Sequence, residues 1–159
     1  MCKESVVRAA LTAAQEHCAL CPRRCGAVRR ETAGLCGMGA ELKVARAALH
    51  YWEEPCISGR DGSGTVFFSG CTLRCVFCQN REISAGGFGQ AISVERLREV
   101  FRELEAAGAS NINLVSPTQF APWIALALEE VPGIPVVWNT GGYERVETLR
   151  TLEGLVQIY

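Results

Sequence analysis

Residues 65–80 read TVFFSGCTLRCVFCQN and decide how the chain folds. The first four residues are β-branched or aromatic, which predicts a buried strand. Ser69 and Gly70 follow the strand, and three cysteines come next at C-x3-C-x2-C spacing, namely Cys71, Cys75 and Cys78. Active sites of α/β proteins gather where parallel strands end. The stretch therefore predicts a strand that carries a loop of three thiols at its C-terminal end.

Helices and strands alternate after this loop. Ser93 has the side chain of an N-cap, and the apolar stripe behind it predicts a helix that Gly108 ends. Further helices are predicted over residues 121–130 and 143–152, and strands over 111–115, 134–138 and 155–159. The alternation is typical of parallel βαβ units. The predicted class is α/β, a partial (β/α) barrel. We expect the barrel to be cut at about the fourth strand, because a complete eightfold barrel needs ~200–250 residues.

The chain before the strand has a different character. Residues 3–17 carry a helical apolar stripe, whereas residues 18–39 lose all periodicity and are rich in Cys, Arg, Gly and Pro. Residues 42–50 fit a strand or a short helix. The glycine-rich stretch 59–64 predicts a turn, and no Gly-Lys-Ser/Thr follows it to favour a phosphate loop. We therefore expect an N-terminal helix and cysteine-rich module over 1–56, and the barrel part over 57–159.

Composition narrows the class of protein. The 159 residues include 16 basic and 17 acidic side chains, a net charge of −1, which gives no footprint for nucleic acid. No apolar run approaches the ~18–20 residues of a membrane span, and the first residues do not resemble a signal peptide. These patterns predict a cytoplasmic protein without a nucleic-acid or membrane partner. In a reducing cytosol, the nine cysteines favour metal binding over disulfides.

The cysteines form two sets. Three thiolates from the 71–78 loop suit an iron–sulfur cube that keeps one iron open for another ligand, because closed structural sites usually take four ligands. The second set, spaced x2, x3 and x10, suits a closed metal site made by Cys18, Cys21, Cys25 and Cys36. Zinc, an auxiliary iron–sulfur cluster and reduced unliganded thiols all remain open for it. Cys2 and Cys56 have no partner at ligand spacing. The three tryptophans, Trp52, Trp123 and Trp138, are predicted to pack in the core.

The C-x3-C-x2-C loop, with Phe77 before its last cysteine, resembles the signature of the radical S-adenosylmethionine (SAM) superfamily. Residues 50–59, 62–71, 111–118 and 136–143 look like its PflX-like branch, whose members are often labelled putative pyruvate formate-lyase activating enzymes. The resemblance implies a radical SAM-type barrel in which Cys71, Cys75 and Cys78 hold a [4Fe–4S] cluster. SAM would bind the open iron and be cleaved reductively to a 5′-deoxyadenosyl radical that abstracts hydrogen from a substrate.

The same resemblance implies roles for residues at the strand ends. Phe77 would lie against the adenine of SAM, and polar contacts to SAM would come from Ser116, Thr118, Asn139 and Thr140. It also implies an electron donor of the flavodoxin or ferredoxin type and allows a protein substrate, as in the activation of a glycyl-radical enzyme. It does not name a catalytic side chain. One alternative for the whole chain stays open, namely a non-catalytic zinc or iron–sulfur protein or an inactive fragment. The four polar residues, in turn, could simply form strand-end turns or helix caps.

Overall fold

A computed structural model describes residues 3–130 and 132–159, and within these ranges it shows a mixed α/β fold built on one sheet of five strands. The strand order is β3-β1-β2-β4-β5. Strands β2, β4 and β5 are parallel to one another, whereas β1 is antiparallel to both β2 and β3. The strand bounds are β1 Lys43–His50, β2 Ser63–Phe68, β3 Gln90–Ala91, β4 Ile112–Val115 and β5 Val136–Asn139.

The parallel strands form the predicted central unit of the sheet. Their register aligns Val66 with Leu114 and Trp138, so these side chains share one face. All three are fully buried beneath helices α4 (Val94–Ala106) and α5 (Ala121–Ala127), as expected for parallel strands covered by crossover helices. This layer forms the main core. The crossovers place the C-terminal ends of the three strands at one edge.

Helix α4 has the ends that its sequence predicts. The Ser93 hydroxyl accepts a hydrogen bond from the Arg96 backbone N–H at 3.1 Å and caps the first turn. Gly108 follows the helix with a φ of 88°, a left-handed conformation that glycine adopts without steric cost. The buried face of the helix consists of Leu97, Val100, Phe101 and Leu104.

The N-terminal residues join the same fold. Helix α1 (Lys3–Glu16) packs on α5, and its Val7 and Ala14 belong to the core. Residues 42–50, which the sequence left between strand and helix, form β1 and pair with β2. The division at residue 56 stays a prediction, as does a separate cysteine-rich module.

Several boundaries differ from the sequence-based expectation. Helix α5 stops at Ala127, and the last helix, α6, spans only Val146–Arg150. No strand forms over 155–159 beyond a single parallel bridge between Ile158 and Val137. The two remaining helices are single turns, α2 Pro55–Ser58 and α3 Arg81–Ser84. These short elements lie beside glycine- and proline-containing loops, where periodicity is weakest.

One tryptophan prediction was wrong. Trp123 and Trp138 are buried in the core, but Trp52 is 90 % exposed. Trp52 lies in the loop between β1 and α2, outside any strand or helix, so no neighbouring element covers it. Within the described residues, none of the helices has the length and apolar character needed to cross a membrane.

Candidate metal and cofactor site

The loop of Cys71, Cys75 and Cys78 begins where β2 ends, at the edge where the parallel strands terminate. Gly70 makes the turn possible. Its φ of 75° is left-handed, and an added Cβ would lie 2.4 Å from Met38 Cγ and 2.8 Å from the Cys36 carbonyl oxygen. Only glycine fits here without displacing the backbone. The close approach brings the N-terminal cysteine segment, residues 18–39, against the start of the loop.

The three thiols of the loop are reachable from solvent. Cys75 is exposed, while Cys71 and Cys78 are partly buried, and none is in a disulfide. The Ser84 hydroxyl donates to Cys78 Sγ at 3.3 Å and so helps to orient this sulfur. Phe77 is 87 % exposed at the tip of the loop, so its ring has a free face for a planar ligand. The loop therefore offers sulfur ligands and an aromatic surface side by side.

The donor set of three cysteine thiols suits an iron–sulfur cluster. In the described ranges, no three His, Cys, Asp or Glu side chains converge on one ion position. Each thiolate of a cubane cluster binds a different iron, so its sulfurs need not converge on one point. Residues 71–80 also contain Arg74 and no acidic residue, which suits the negative charge of a thiolate-bound cluster.

Polar residues lie at the ends of the neighbouring strands. The backbone N–H of Ser116 donates to the Asn139 carbonyl at 3.0 Å, and Ser116 has a left-handed φ of 52°. The Thr118 hydroxyl donates to Glu144 Oε1 at 2.5 Å, and the Thr140 hydroxyl donates to the same oxygen. The structure thus brings the four predicted polar residues to one edge and connects two of them through a carboxylate.

Sequence reasoning missed Glu144. It follows directly after the stretch 136–143 that carries the family resemblance, in a loop that leaves a parallel strand at the site edge. An acidic residue in such a loop is the signal that could have found it. Partly buried Glu144 is the carboxylate that the threonine hydroxyls share, so it supplies negative charge beside the strand ends.

Gln119 was also missed as a structural link. Its side-chain amide nitrogen donates to the carbonyls of Ser69, Gly70 and Ser116 at 2.7–3.1 Å, and so joins the ends of β2 and β4. Its own backbone carbonyl accepts a 2.5 Å hydrogen bond from Arg29. No sequence pattern signals such a bridge, because its partners are backbone atoms far apart along the chain.

The N-terminal cysteine segment holds the loop directly. Arg23 donates to the carbonyls of Thr72 and Leu73 at 2.6 and 3.1 Å, and Cys71 donates its backbone N–H to the Cys36 carbonyl at 3.3 Å. In return, Arg74 donates to the Leu35 carbonyl at 3.0 Å. Four hydrogen bonds therefore fasten the two cysteine-bearing stretches to each other.

Three of the four cysteines of this segment, Cys18, Cys25 and Cys36, lie near the buried Arg29. Burial raises the pKa of the Cys18 and Cys36 thiols, and nearby Arg29 opposes that rise. The pKa of the Cys25 thiol is lowered: burial raises it, but hydrogen bonds from the backbone and from Cys18 together outweigh the effect of burial. Cys21 acts on Cys18 through its charge. The four cysteines that the sequence spacing groups together therefore also lie near one another in the fold. Cys56 is exposed, and Cys2 lies outside the described residues.

The decisive comparison concerns residues 65–158, which match the radical SAM superfamily. The chain belongs to the radical SAM superfamily. The match begins in β2 and includes the cysteine loop and the strand ends described above. Membership implies an iron–sulfur enzyme family that uses a [4Fe–4S] cluster and SAM.

A curated relative extends the likeness upstream. The chain is 31 % identical over 154 residues to a protein of Methanocaldococcus jannaschii that is named "Uncharacterized protein MJ0674". The alignment covers 91 % of this chain but 44 % of that relative, so the chain spans less than half of its length. No solved structure matches the chain significantly.

Proposed function

We propose that this chain holds a [4Fe–4S] cluster through Cys71, Cys75 and Cys78 and binds SAM at the open iron. When bound, the cluster supplies the electron that cleaves SAM to methionine and a 5′-deoxyadenosyl radical for hydrogen abstraction. The observation that carries the proposal is the placement of the C-x3-C-x2-C loop at the C-terminal edge of the parallel strands, inside the region that matches the superfamily.

The side chains at this edge have distinct proposed roles in binding SAM. Phe77 has an exposed ring that can stack on the adenine. Glu144 can accept hydrogen bonds from the amino group of SAM, with Thr118 and Thr140 fixing its carboxylate. Ser116 and Asn139 present backbone and side-chain polar groups at the ends of β4 and β5. The proposed role of the chain is to bind and orient SAM, because the cofactors supply the chemistry.

The finer identity rests on the resemblance. The PflX-like branch, a protein substrate with a reactive glycine, a flavodoxin- or ferredoxin-type electron donor and a cytoplasmic location are all proposals. Reductive cleavage of SAM requires an electron donor that reaches the cysteine loop. Exposed Cys75 and Phe77 make that loop accessible in the described structure.

Anaerobic reconstitution with iron and sulfide tests the cluster. We expect about four irons at the loop per chain and an EPR signal after reduction that SAM perturbs. A loop-triple variant, Cys71→Ala with Cys75→Ala and Cys78→Ala, should lose that signal, whereas Cys56→Ala, an exposed cysteine outside both sets, should keep it. An unchanged SAM-sensitive signal in the loop-triple variant would contradict the proposal, as would its absence from the parent chain.

A further inference from the structure

Arg29 is a buried charge without an acidic partner. Its side chain is 2 % exposed, and in the described part of the chain no carboxylate forms an ion pair with it. Two of its nitrogens donate to backbone carbonyls, Nε to Gly39 at 2.8 Å and Nη1 to Gln119 at 2.5 Å. Nη2 is buried and has no hydrogen-bond partner in the described ranges. A buried guanidinium in this state needs a counter-charge.

Aromatic rings do not supply that counter-charge. The guanidinium lies 4.6 Å from the Trp123 ring centroid and 5.4 Å from that of Phe120. Ring faces attract a cation but carry no net charge. The remaining neighbours are sulfurs: Cys18, Cys25 and Cys36 act on Arg29 through their negative forms. A negatively charged metal–thiolate centre at these sulfurs would supply the counter-charge that the buried guanidinium lacks.

The backbone around these sulfurs is shaped to receive negative charge. Backbone hydrogen bonds at Leu20, Ala27 and Met38 reach the sulfur two residues earlier in each case. The left-handed Gly26 and Gly37 follow two of the cysteines directly and let the chain turn back toward them. Amide N–H groups directed at sulfur favour the thiolate.

The sulfurs also approach one another. The position that a Cβ on Gly34 would occupy is 3.3 Å from Cys25 Sγ and 3.5 Å from Cys36 Sγ, and Cys18 hydrogen-bonds to Cys25. Cys21 lies near Cys18 on the adjacent turn, where Arg24 donates its backbone N–H to the Cys21 carbonyl at 3.0 Å. No single-ion geometry is preformed in the described residues, so side-chain rotation must complete the site when metal binds.

We propose that Cys18, Cys21, Cys25 and Cys36 bind a thiophilic metal centre as four thiolates, and that Arg29 balances part of its charge. Four thiolates on Zn²⁺, or on a [4Fe–4S]²⁺ core, leave two negative charges on the centre. Binding displaces the thiol protons to solvent, and no electron transfer is required. The centre would order residues 18–39, which lack a hydrophobic core of their own. It is separate from the proposed SAM site, and its test does not depend on that proposal.

Metal analysis of the loop-triple variant isolates the centre. We expect either one zinc per chain as purified, or about four irons with matching sulfide after anaerobic reconstitution; these two results separate the two metals. Cobalt(II) is the optical probe: its titration should saturate at one ion per chain with the ligand-field and charge-transfer bands of a tetrahedral thiolate site. A loop-triple chain that binds none of these metals stoichiometrically would overturn the proposal.

Thiol counting provides a second measurement on folded protein. In the metal-loaded loop-triple variant, an organomercurial should release the metal as the four proposed ligand thiols react, whereas exposed Cys56 reacts first without release. Cys2, the sixth cysteine of this variant, is replaced by serine so that it does not enter the count. Adding Cys36→Ser should abolish tight cobalt binding, and adding Cys56→Ser should leave it unchanged. Release that does not track thiol modification, or retained binding in the Cys36→Ser protein, would contradict the ligand assignment.

The role of Arg29 is testable by charge. In the loop-triple background we expect Arg29→Met to weaken cobalt binding by about tenfold or more, because the counter-charge is lost. Arg29→Lys keeps the charge and should restore most of the affinity. Circular dichroism of each metal-loaded protein checks the fold. Equal affinity in the Met and Lys variants, with both folded, would show that charge is not the reason for the arginine.

Discussion

Gly70 is the position where the structure makes its sharpest quantitative prediction. Gly70→Ala forces an L-residue into a left-handed φ of 75° and places its Cβ 2.4 Å from Met38 Cγ and 2.8 Å from the Cys36 carbonyl oxygen. The matched control is Gly108→Ala, where φ is 88° and an added Cβ meets nothing within 4 Å. Both variants pay the same conformational penalty, so their difference isolates the steric clash.

The clash has the magnitude of an overpacked core. Inserting a methyl group into well-packed surroundings costs ~1–3 kcal/mol. We therefore expect Gly70→Ala to lower the free energy of unfolding by ~1–3 kcal/mol more than Gly108→Ala does. The carbonyl contact is backbone and cannot rotate away, whereas the Met38 side chain can. In a Met38→Ala background, Gly70→Ala should therefore lower the free energy of unfolding by less than it does in the parent, but still by more than zero.

Urea unfolding followed by circular dichroism measures these differences. The midpoints of the parent, the two alanine variants, the single Met38→Ala variant and the Gly70→Ala/Met38→Ala double variant should be compared at equal slopes, because only then do midpoints report stability alone. Equal loss in Gly70→Ala and Gly108→Ala would refute the close approach between the loop and residues 36–38. Absence of coupling between Gly70→Ala and Met38→Ala, beyond ~0.5 kcal/mol, would refute the specific contact with Met38.

Three further substitutions test other contacts. Ser93→Ala should cost ~1 kcal/mol in urea unfolding because it removes the N-cap of α4, and a cost near zero would contradict the cap. Gln119→Leu removes the side-chain donor to the buried carbonyls of Ser69 and Gly70 and to the partly buried carbonyl of Ser116, and should cost ~1–3 kcal/mol in the same assay. An unchanged free energy of unfolding would contradict the bridge between β2 and β4. Phe77→Ala should change stability by less than ~0.5 kcal/mol because the ring is exposed. Phe77→Ala should nevertheless weaken SAM binding, so that more SAM is needed to perturb the EPR signal of the reduced cluster. An unaltered SAM titration would show that Phe77 does not contact SAM.

The regular part of the fold was predictable because its signals are local. The apolar run of residues 65–68 predicted β2, and the stripe of α4 with Ser93 and Gly108 predicted that helix with its ends. The C-x3-C-x2-C spacing directly after a strand predicted the cysteine loop at the end of β2. Each of these features depends on residues within about one element of each other.

The rest depends on contacts that cross the chain. The sequence of β1 fits either a strand or a short helix, and only its antiparallel pairing with β2 makes it a strand. The hydrogen bonds from Arg23 to the loop join residues 49 and 50 positions apart, and Arg29 reaches Gln119 across 90 positions. Residues 18–39 have no periodicity from which such partners can be derived. The place of Arg29 beside the cysteines could therefore be recognised only once the chain was folded.

The left-handed residues have a consequence for efforts to make this protein more stable. Within the described ranges, the non-glycine residues with positive φ are Arg24, Arg74 and Ser116, and they lie in the three stretches that meet at the strand-end edge. Each holds ~1 kcal/mol of backbone strain that glycine would relieve. Thermostabilising selections should therefore be drawn to these positions. The same changes would give the loops more freedom, so added heat resistance is expected to come with weaker binding of the cluster and SAM that we propose for these loops.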